Sequence, residues 1–217
     1  MKKGYCDITL LIDRSGSMCS VREDVIGGVN TFIEDQKNSP GVATFSLIQF
    51  DDQYEVNYIA KNINEVDPLC HLSYQPRGMT AMYDAIGKTI TAMGQRFSQM
   101  QEDERPEKII FLIQTDGFEN ASKEYKHNTI HDMIVHQTDV YSWDFVFMGA
   151  NINAKQTAVD IGVKSANAMT YAASSAGTTN VFCSVSSNLR DVRCGSKLDM
   201  SYTLKDYADQ SDLGIDQ

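Results

Sequence analysis

Along this chain the hydrophobic rhythm switches repeatedly between the period of a strand and the period of a helix. Ile8 to Ile12 is an apolar run rich in β-branched residues, as a buried strand is, and it ends abruptly in the polar residues Asp13, Ser15, Gly16 and Ser17. Val21, Val25, Ile26, Val29, Phe32 and Ile33 then recur at helical spacing, opposite Arg22, Glu23, Asp24 and Glu34, until Asn38-Ser39-Pro40-Gly41 stops the helix. Val42 to Phe50 alternates as a strand, Asp51-Asp52 turns the chain, and Tyr54 to Ile59 reads as the returning strand of a hairpin, which predicts an antiparallel edge.

The pattern weakens from Ala60 to Pro76, where it supports only a short helix near Asn64 and loop. Met82, Ile86, Ile90, Met93, Phe97 and Met100 keep one face at steps of three and four, so Thr80 is predicted at the start of that helix. Lys108 to Thr115 is the most continuously apolar run, as expected of a central parallel strand covered on both faces, and it too ends in a carboxylate, Asp116. A mixed helical stretch to about Gln137 follows. Next come a strand at Ser142 to Met148, a helix at Ala154 to Ile161, a short strand at Ala168 to Tyr171 and a helix within Ser175 to Val192. Strands alternating with helices predict an α/β fold, a mostly parallel sheet with helices on both faces, whose ligands bind beyond the carboxyl ends of the strands.

Composition narrows the function classes. With 29 acidic against 19 basic residues, the net charge of −10 argues against an electrostatic grip on nucleic acid or anionic lipid. The apolar run behind Lys2 and Lys3 is short and holds Asp7 and Asp13, so neither a secretory signal nor a membrane span is expected. Cys6, Cys19, Cys70, Cys183 and Cys194 form an odd set without a C-x-x-C pair, which fits a reducing, cytoplasmic setting better than a disulfide framework or zinc site. His127 and His131 could share a helix face with His136 nearby, but without H-E-x-x-H or a third ligand they read as exposed helical residues.

Candidate chemistry gathers where strands end. Asp13-Arg14-Ser15-Gly16-Ser17 offers one carboxylate and two neutral hydroxyls within five residues, and the small residues let the backbone fold them about one point. Such hard oxygen donors suit Mg²⁺, which keeps positions open for water or ligand. Taken singly, Asp13 could be a strand breaker, Thr80 a helix cap and Asp116-Gly117 a turn. All three fall at one predicted edge of the sheet.

This order and spacing resemble the von Willebrand factor type A domain, whose metal-ion-dependent adhesion site is written D-x-S-x-S, then Thr, then Asp, commonly in T-D-G. Here those positions are Asp13-Arg14-Ser15-Gly16-Ser17, Thr80 and Thr115-Asp116-Gly117, and the resemblance runs from about Tyr5 to Val192. It implies a three-layer, Rossmann-like doubly wound domain over residues 1–195. It also implies metal contacts from Ser15, Ser17 and Thr80, with Asp13 and Asp116 acting through water. The cation would be Mg²⁺ or Mn²⁺, with Ca²⁺ less expected, and an Asp or Glu of a protein partner would complete its shell. Intracellular microbial or phage members of the family are the expected kin.

An enzymatic alternative, metal-dependent phosphotransfer or hydrolysis at the same site, has less support. Ser15 stands where an aspartyl-phosphate phosphatase would carry a second acid, and G-x-S-x-G, P-loop and G-x-G-x-x-G patterns are absent. The remainder, 196–217, carries Asp199, Asp206, Asp209, Asp212 and Asp216 against Lys197 and Lys205, and reads as a solvated, partly disordered acidic tail. A sharper expectation for it is weak self-association, one of its carboxylates reaching the cation of another copy.

Overall fold

In the computed structural model, which describes residues 1–211, six strands form one sheet of order β3-β2-β1-β4-β5-β6. They are β1 (Lys2–Asp13), β2 (Val42–Phe50), β3 (Tyr54–Asn62), β4 (Pro106–Thr115), β5 (Asp144–Ala150) and β6 (Ala168–Tyr171). All neighbours run parallel except β2 and β3, the hairpin at one edge. From β1 the chain winds outward one way through β2 and β3, then crosses back to β4 and winds the other way. Strand order therefore reverses between β1 and β4, the place where a doubly wound sheet leaves a crevice at its carboxyl end.

Side chains of successive strand residues point to opposite faces, so a strand buried on both sides must be apolar at nearly every position. That is why β1 and β4 read as continuous apolar runs. Ile8, Leu10 and Ile12, with Ile110 and Leu112, meet α1 (Arg22–Lys37) and α5 (Ser175–Arg193) on one face. Leu11, Phe111 and Ile113 meet α2 (Met82–Gln99), α3 (His127–Tyr141) and α4 (Ala154–Asp160) on the other. Helix α1 approaches α5 closely at Gly28, where an added Cβ would stand 2.3 Å from the Phe182 ring.

Several predicted boundaries move. β1 begins at Lys2, because Lys2 pairs with Pro106 ahead of Tyr5 with Val42 and Cys6 with Lys108, even though Lys2 to Gly4 stay exposed. The mixed stretch after Asp116 is loop until His127. Asp84 holds part of this loop, its carboxylate accepting the backbone N–H groups of Lys123, Glu124 and Tyr125 at 2.8–2.9 Å. Ser142, read as the start of a strand, is the left-handed residue that ends α3, with φ of 56°.

The largest departure concerns the acidic tail. Met200 and Tyr202 enter the hydrophobic core, Gln210 is buried, and α6 (Leu204–Ser211) packs beside β6. The apolar residues that pack inward, Met200, Tyr202 and Tyr207, are too few and irregular to show a period in the sequence, although Tyr202 N–H donates to Ala166 O at 2.7 Å and fixes the path. Asp212 and Asp216 lie outside the described residues. Among those described, no helix is long and apolar enough to cross a membrane.

Candidate metal centre

Asp13 is the last residue of β1 and is wholly buried. Its Oδ1 accepts the Ser15 N–H at 2.6 Å, and its Oδ2 accepts the Thr115 hydroxyl at 2.6 Å from the adjoining end of β4. The register that pairs Ile12 with Gln114 brings Asp13 and Thr115 side by side, one residue before Asp116. Tyr74, buried beneath the site, donates its hydroxyl to Asp13 O at 2.7 Å.

The three loops meet above this floor. Ser15 Oγ and Ser17 Oγ stand 3.1 Å apart, and Ser17 Oγ donates to Asp116 Oδ1 at 2.6 Å. A Cβ on Gly117 would lie 3.6 Å from Thr80 Oγ1 and 3.9 Å from Ser17 Oγ, so Gly117 leaves open the space between those hydroxyls. Backbone bonds fix the loops: Gly16 N–H to Gly78 O at 3.2 Å, Arg77 N–H to Arg14 O at 2.7 Å, and Asn120 N–H to Thr80 O at 3.0 Å. Thr80 N–H in turn donates to Asn120 Oδ1 at 2.9 Å. Ala81 occupies the cap position of α2, and among the described residues the Thr80 hydroxyl makes no hydrogen bond.

The electrostatics are unbalanced. Burial pushes the Asp13 carboxyl up to about 6, against the opposing hydrogen bonds from Thr115 and Ser15, and the nearby Asp116 charge adds to the rise. Partial burial raises Asp116 as well, against the bond from Ser17. Among the described residues, neither carboxylate is paired with a basic side chain. Arg14, although adjacent in sequence, turns its guanidinium away to Asp51 at 3.1 Å and Glu55 at 2.6 Å. Two under-compensated carboxylates beside three hydroxyls make a site short of positive charge.

Residues 7–187 match the family model of the von Willebrand factor type A domain. The chain belongs to this family. Among solved structures, proximal thread matrix protein 1 from the mussel byssus is similar at 14% identity and a TM-score of 0.57, over 88% of this chain and 47% of that one. The same protein with a zinc occupied MIDAS motif is similar at 18% identity and a TM-score of 0.53, over 89% and 46%. The pilus adhesin SpaC from Lactobacillus rhamnosus GG is similar at 13% identity and a TM-score of 0.63, over 88% and 31%. At these identities the likeness is one of fold, and the chain spans less than half the length of each. No curated protein sequence matches it. Domains of this family are generally protein-interaction modules, and these similar structures are by name an adhesin and a matrix protein.

Within this von Willebrand factor type A domain, all five residues singled out from the sequence lie on the converging loops. Others around them gave no sequence signal of their role. Tyr74 falls in the weakly patterned stretch, and its hydrogen bond to the backbone of Asp13 depends on tertiary contact alone. Asp51 carries both Arg14 and Arg77, at 3.1 and 2.9 Å, and so ties the first loop to the one that delivers Thr80. Thr115 could have been found, since a hydroxyl just before a strand-ending Asp can reach the neighbouring strand end. The histidines form no metal cluster: among the described residues no three His, Cys, Asp or Glu side chains converge. The donors gathered at the strand ends are two carboxylates and three hydroxyls.

Proposed function

We propose that this domain holds a divalent cation among Asp13, Ser15, Ser17, Thr80 and Asp116, and through it binds a protein partner that presents an Asp or Glu. The observation that carries the reading is the charge deficit, two carboxylates of raised proton affinity that among the described residues have no basic partner, beside three hydroxyls. The spacing of the donors supports it. Ser15 Oγ and Ser17 Oγ, 3.1 Å apart, match adjacent corners of an octahedron of roughly 2.1 Å radius, whose edge is about 3.0 Å. Ser15, Ser17 and Thr80 supply neutral oxygens to the cation, while Asp13 and Asp116 orient its water. Few charged donors and a small radius favour Mg²⁺ or Mn²⁺ over Ca²⁺. Bound there, such an ion would be an electrophile with a position open to a carboxylate.

A hydrolytic role has less support, because among the described residues the acid nearest the site in sequence is engaged elsewhere. Glu119, the acid nearest to Asp116 in sequence, spends its carboxylate on the backbone N–H groups of Tyr83, Ala121 and Ser122 and on the Ser122 hydroxyl, at 2.7–2.9 Å. It is thereby a loop anchor. The five cysteines, all unpaired thiols, support a reducing compartment and hence an intracellular setting.

Calorimetry with Mn²⁺ on the wild type, Asp13→Ala and Ser15→Ala tests the site, and pull-down with and without EDTA tests the partner. Undiminished Mn²⁺ affinity in either variant would refute the assignment. Turnover of phosphomonoesters, nucleotides or peptides that vanished in Asp13→Asn would replace binding with catalysis.

A further inference from the structure

Two large apolar side chains stand open to water beside the candidate metal centre. Met79, 55% exposed, directly precedes Thr80, and Phe118, 67% exposed, follows Asp116 and Gly117. A Cβ on Gly117 would lie 3.6 Å from Thr80 Oγ1, so the two loops come together at the site. Each apolar residue is one Cα step, about 3.8 Å, from that meeting point. Single exposed apolar residues are ordinary on a protein surface. A pair on two loops of one cation site is different, because whatever fills the cation's open position lies beside both.

The loops that carry them are fixed. Asn120 N–H and Ala121 N–H donate to Thr80 O at 3.0 and 3.2 Å, and Thr80 N–H donates to Asn120 Oδ1 at 2.9 Å. Glu119, next to Phe118, accepts the N–H groups of Tyr83, Ala121 and Ser122 at 2.7–2.9 Å and so pins this loop to the first turn of α2. Gly16 N–H donates to Gly78 O at 3.2 Å, next to Met79. Little backbone freedom is left for binding to remove, so contact with Met79 and Phe118 comes at low entropic cost.

The same rim is acidic. Asp52 is exposed and forms no ion pair among the described residues, and its Oδ1 lies 2.5 Å from where a Cβ on Gly78 would stand. Gly78 takes a φ of 68°, and the chain passes close over Asp52 on its way to Met79 and Thr80. Asp13 and Asp116 together balance a divalent cation. The field around the loaded site is then set by Asp52 and by a net charge of −10.

We propose that the partner surface this domain recognises is a single carboxylate residue flanked by large apolar side chains, which cover Met79 and Phe118 while the carboxylate takes the cation's open position. The inference rests on the proposed metal-dependent binding and adds to it the chemistry of the partner. Neighbouring residues of an extended segment are about 3.3 Å apart, so those on either side of the carboxylate fall over the loops of Met79 and Phe118. A second acid there is repelled by Asp52 and by the charge of the chain. The surface therefore selects one carboxylate in an apolar setting over an acid-rich segment.

The test uses the full chain and three capped fluorescent peptides: Gly-Ser-Leu-Asp-Leu-Ser-Gly, and the same peptide with serine or with glutamate in place of both leucines. Anisotropy in Mn²⁺ should show the leucine peptide binding the wild type at least about tenfold more tightly than either of the others, and EDTA should abolish all binding. Tenfold corresponds to roughly 55 Å² of apolar surface removed from water, and Phe118 alone, at 67% exposure, offers about 100 Å². The variant Met79→Ser/Phe118→Ser should lose the leucine preference while calorimetry shows its Mn²⁺ affinity unchanged. The comparison of peptides on the wild type stands without the variant. Equal affinity for the leucine and serine peptides would overturn the proposal, as would a glutamate peptide that binds as tightly as the leucine one. A leucine preference that survives in EDTA, or in a variant that still binds Mn²⁺, would overturn it too. Absence of Mn²⁺ binding by the wild type would instead sink the metal reading on which the proposal rests, a reading that the peptide outcomes leave standing.

Discussion

Asp13→Asn should make the metal-free protein more stable at neutral pH while abolishing its response to metal. The Asp13 carboxyl is held at about 6 against an ordinary 3.8, chiefly by burial. At about 1.4 kcal/mol per pH unit, keeping it charged above pH 6 costs the fold roughly 3 kcal/mol. An asparagine removes that cost and can keep the hydrogen bonds. Its oxygen accepts the Ser15 N–H, and its amide donates to Thr115 Oγ1, whose proton then turns wholly to Gly117 O, 3.2 Å away. The value of about 6 is already net of the hydrogen bonds to the charged form, so most of that cost is recovered, about 2–3 kcal/mol. In a domain of this size that is about 4–12 °C in Tm.

The sign follows from proton counting. Between about pH 4 and 6 the folded chain holds a proton at Asp13 that the unfolded chain has released, so this residue's contribution falls as pH rises through the window and stays low above it. Thermal melts of both proteins in EDTA from pH 4 to 8 check this, because their difference isolates Asp13 from the other carboxyls. The variant's advantage should be near zero at pH 4, grow to pH 6 and then level. With saturating Mn²⁺ the wild type should gain stability and the variant should not. A variant less stable than wild type at pH 7 in EDTA would refute the argument, by showing that the carboxylate is a net stabilising acceptor even without metal.

Mn²⁺ affinity of the wild type should climb by up to about tenfold per pH unit below pH 5 and flatten above about 6, since the proton on Asp13 must leave first; calorimetry in buffers of different ionisation enthalpy would count it. Thr80→Val should lower Mn²⁺ affinity at least ~10-fold while leaving the EDTA melt within about 0.5 kcal/mol, because the hydroxyl it removes bonds to no described residue. Gly28→Ala should destabilise the fold by about 1–3 kcal/mol in urea denaturation despite alanine's better helix propensity, as its Cβ would stand 2.3 Å from the packed Phe182 ring. An unchanged midpoint would show that α1 and α5 can part at little cost.

Local pattern was enough for most of the fold. Continuous apolarity in β1 and β4 reports burial on both faces, and helical spacing from Met82 to Phe97 reports a single buried face, because each is a property of adjacent residues. Asp13, Ser15, Ser17, Thr80 and Asp116 were legible as a set through their order and spacing. The sequence could not say that Asp13 would bond Thr115 and lean on Tyr74 while Arg14 turned to Asp51 and Glu55. Those facts join residues up to 102 positions apart, and only the pairing of β1 with β4 brings Asp13 and Thr115 together. The segment after Ser196 makes the same point in reverse. Its composition is that of a solvated tail, yet Met200 and Tyr202 enter the core and Tyr207 bonds the start of β6, and both the core and that strand's edge exist only once the sheet has formed.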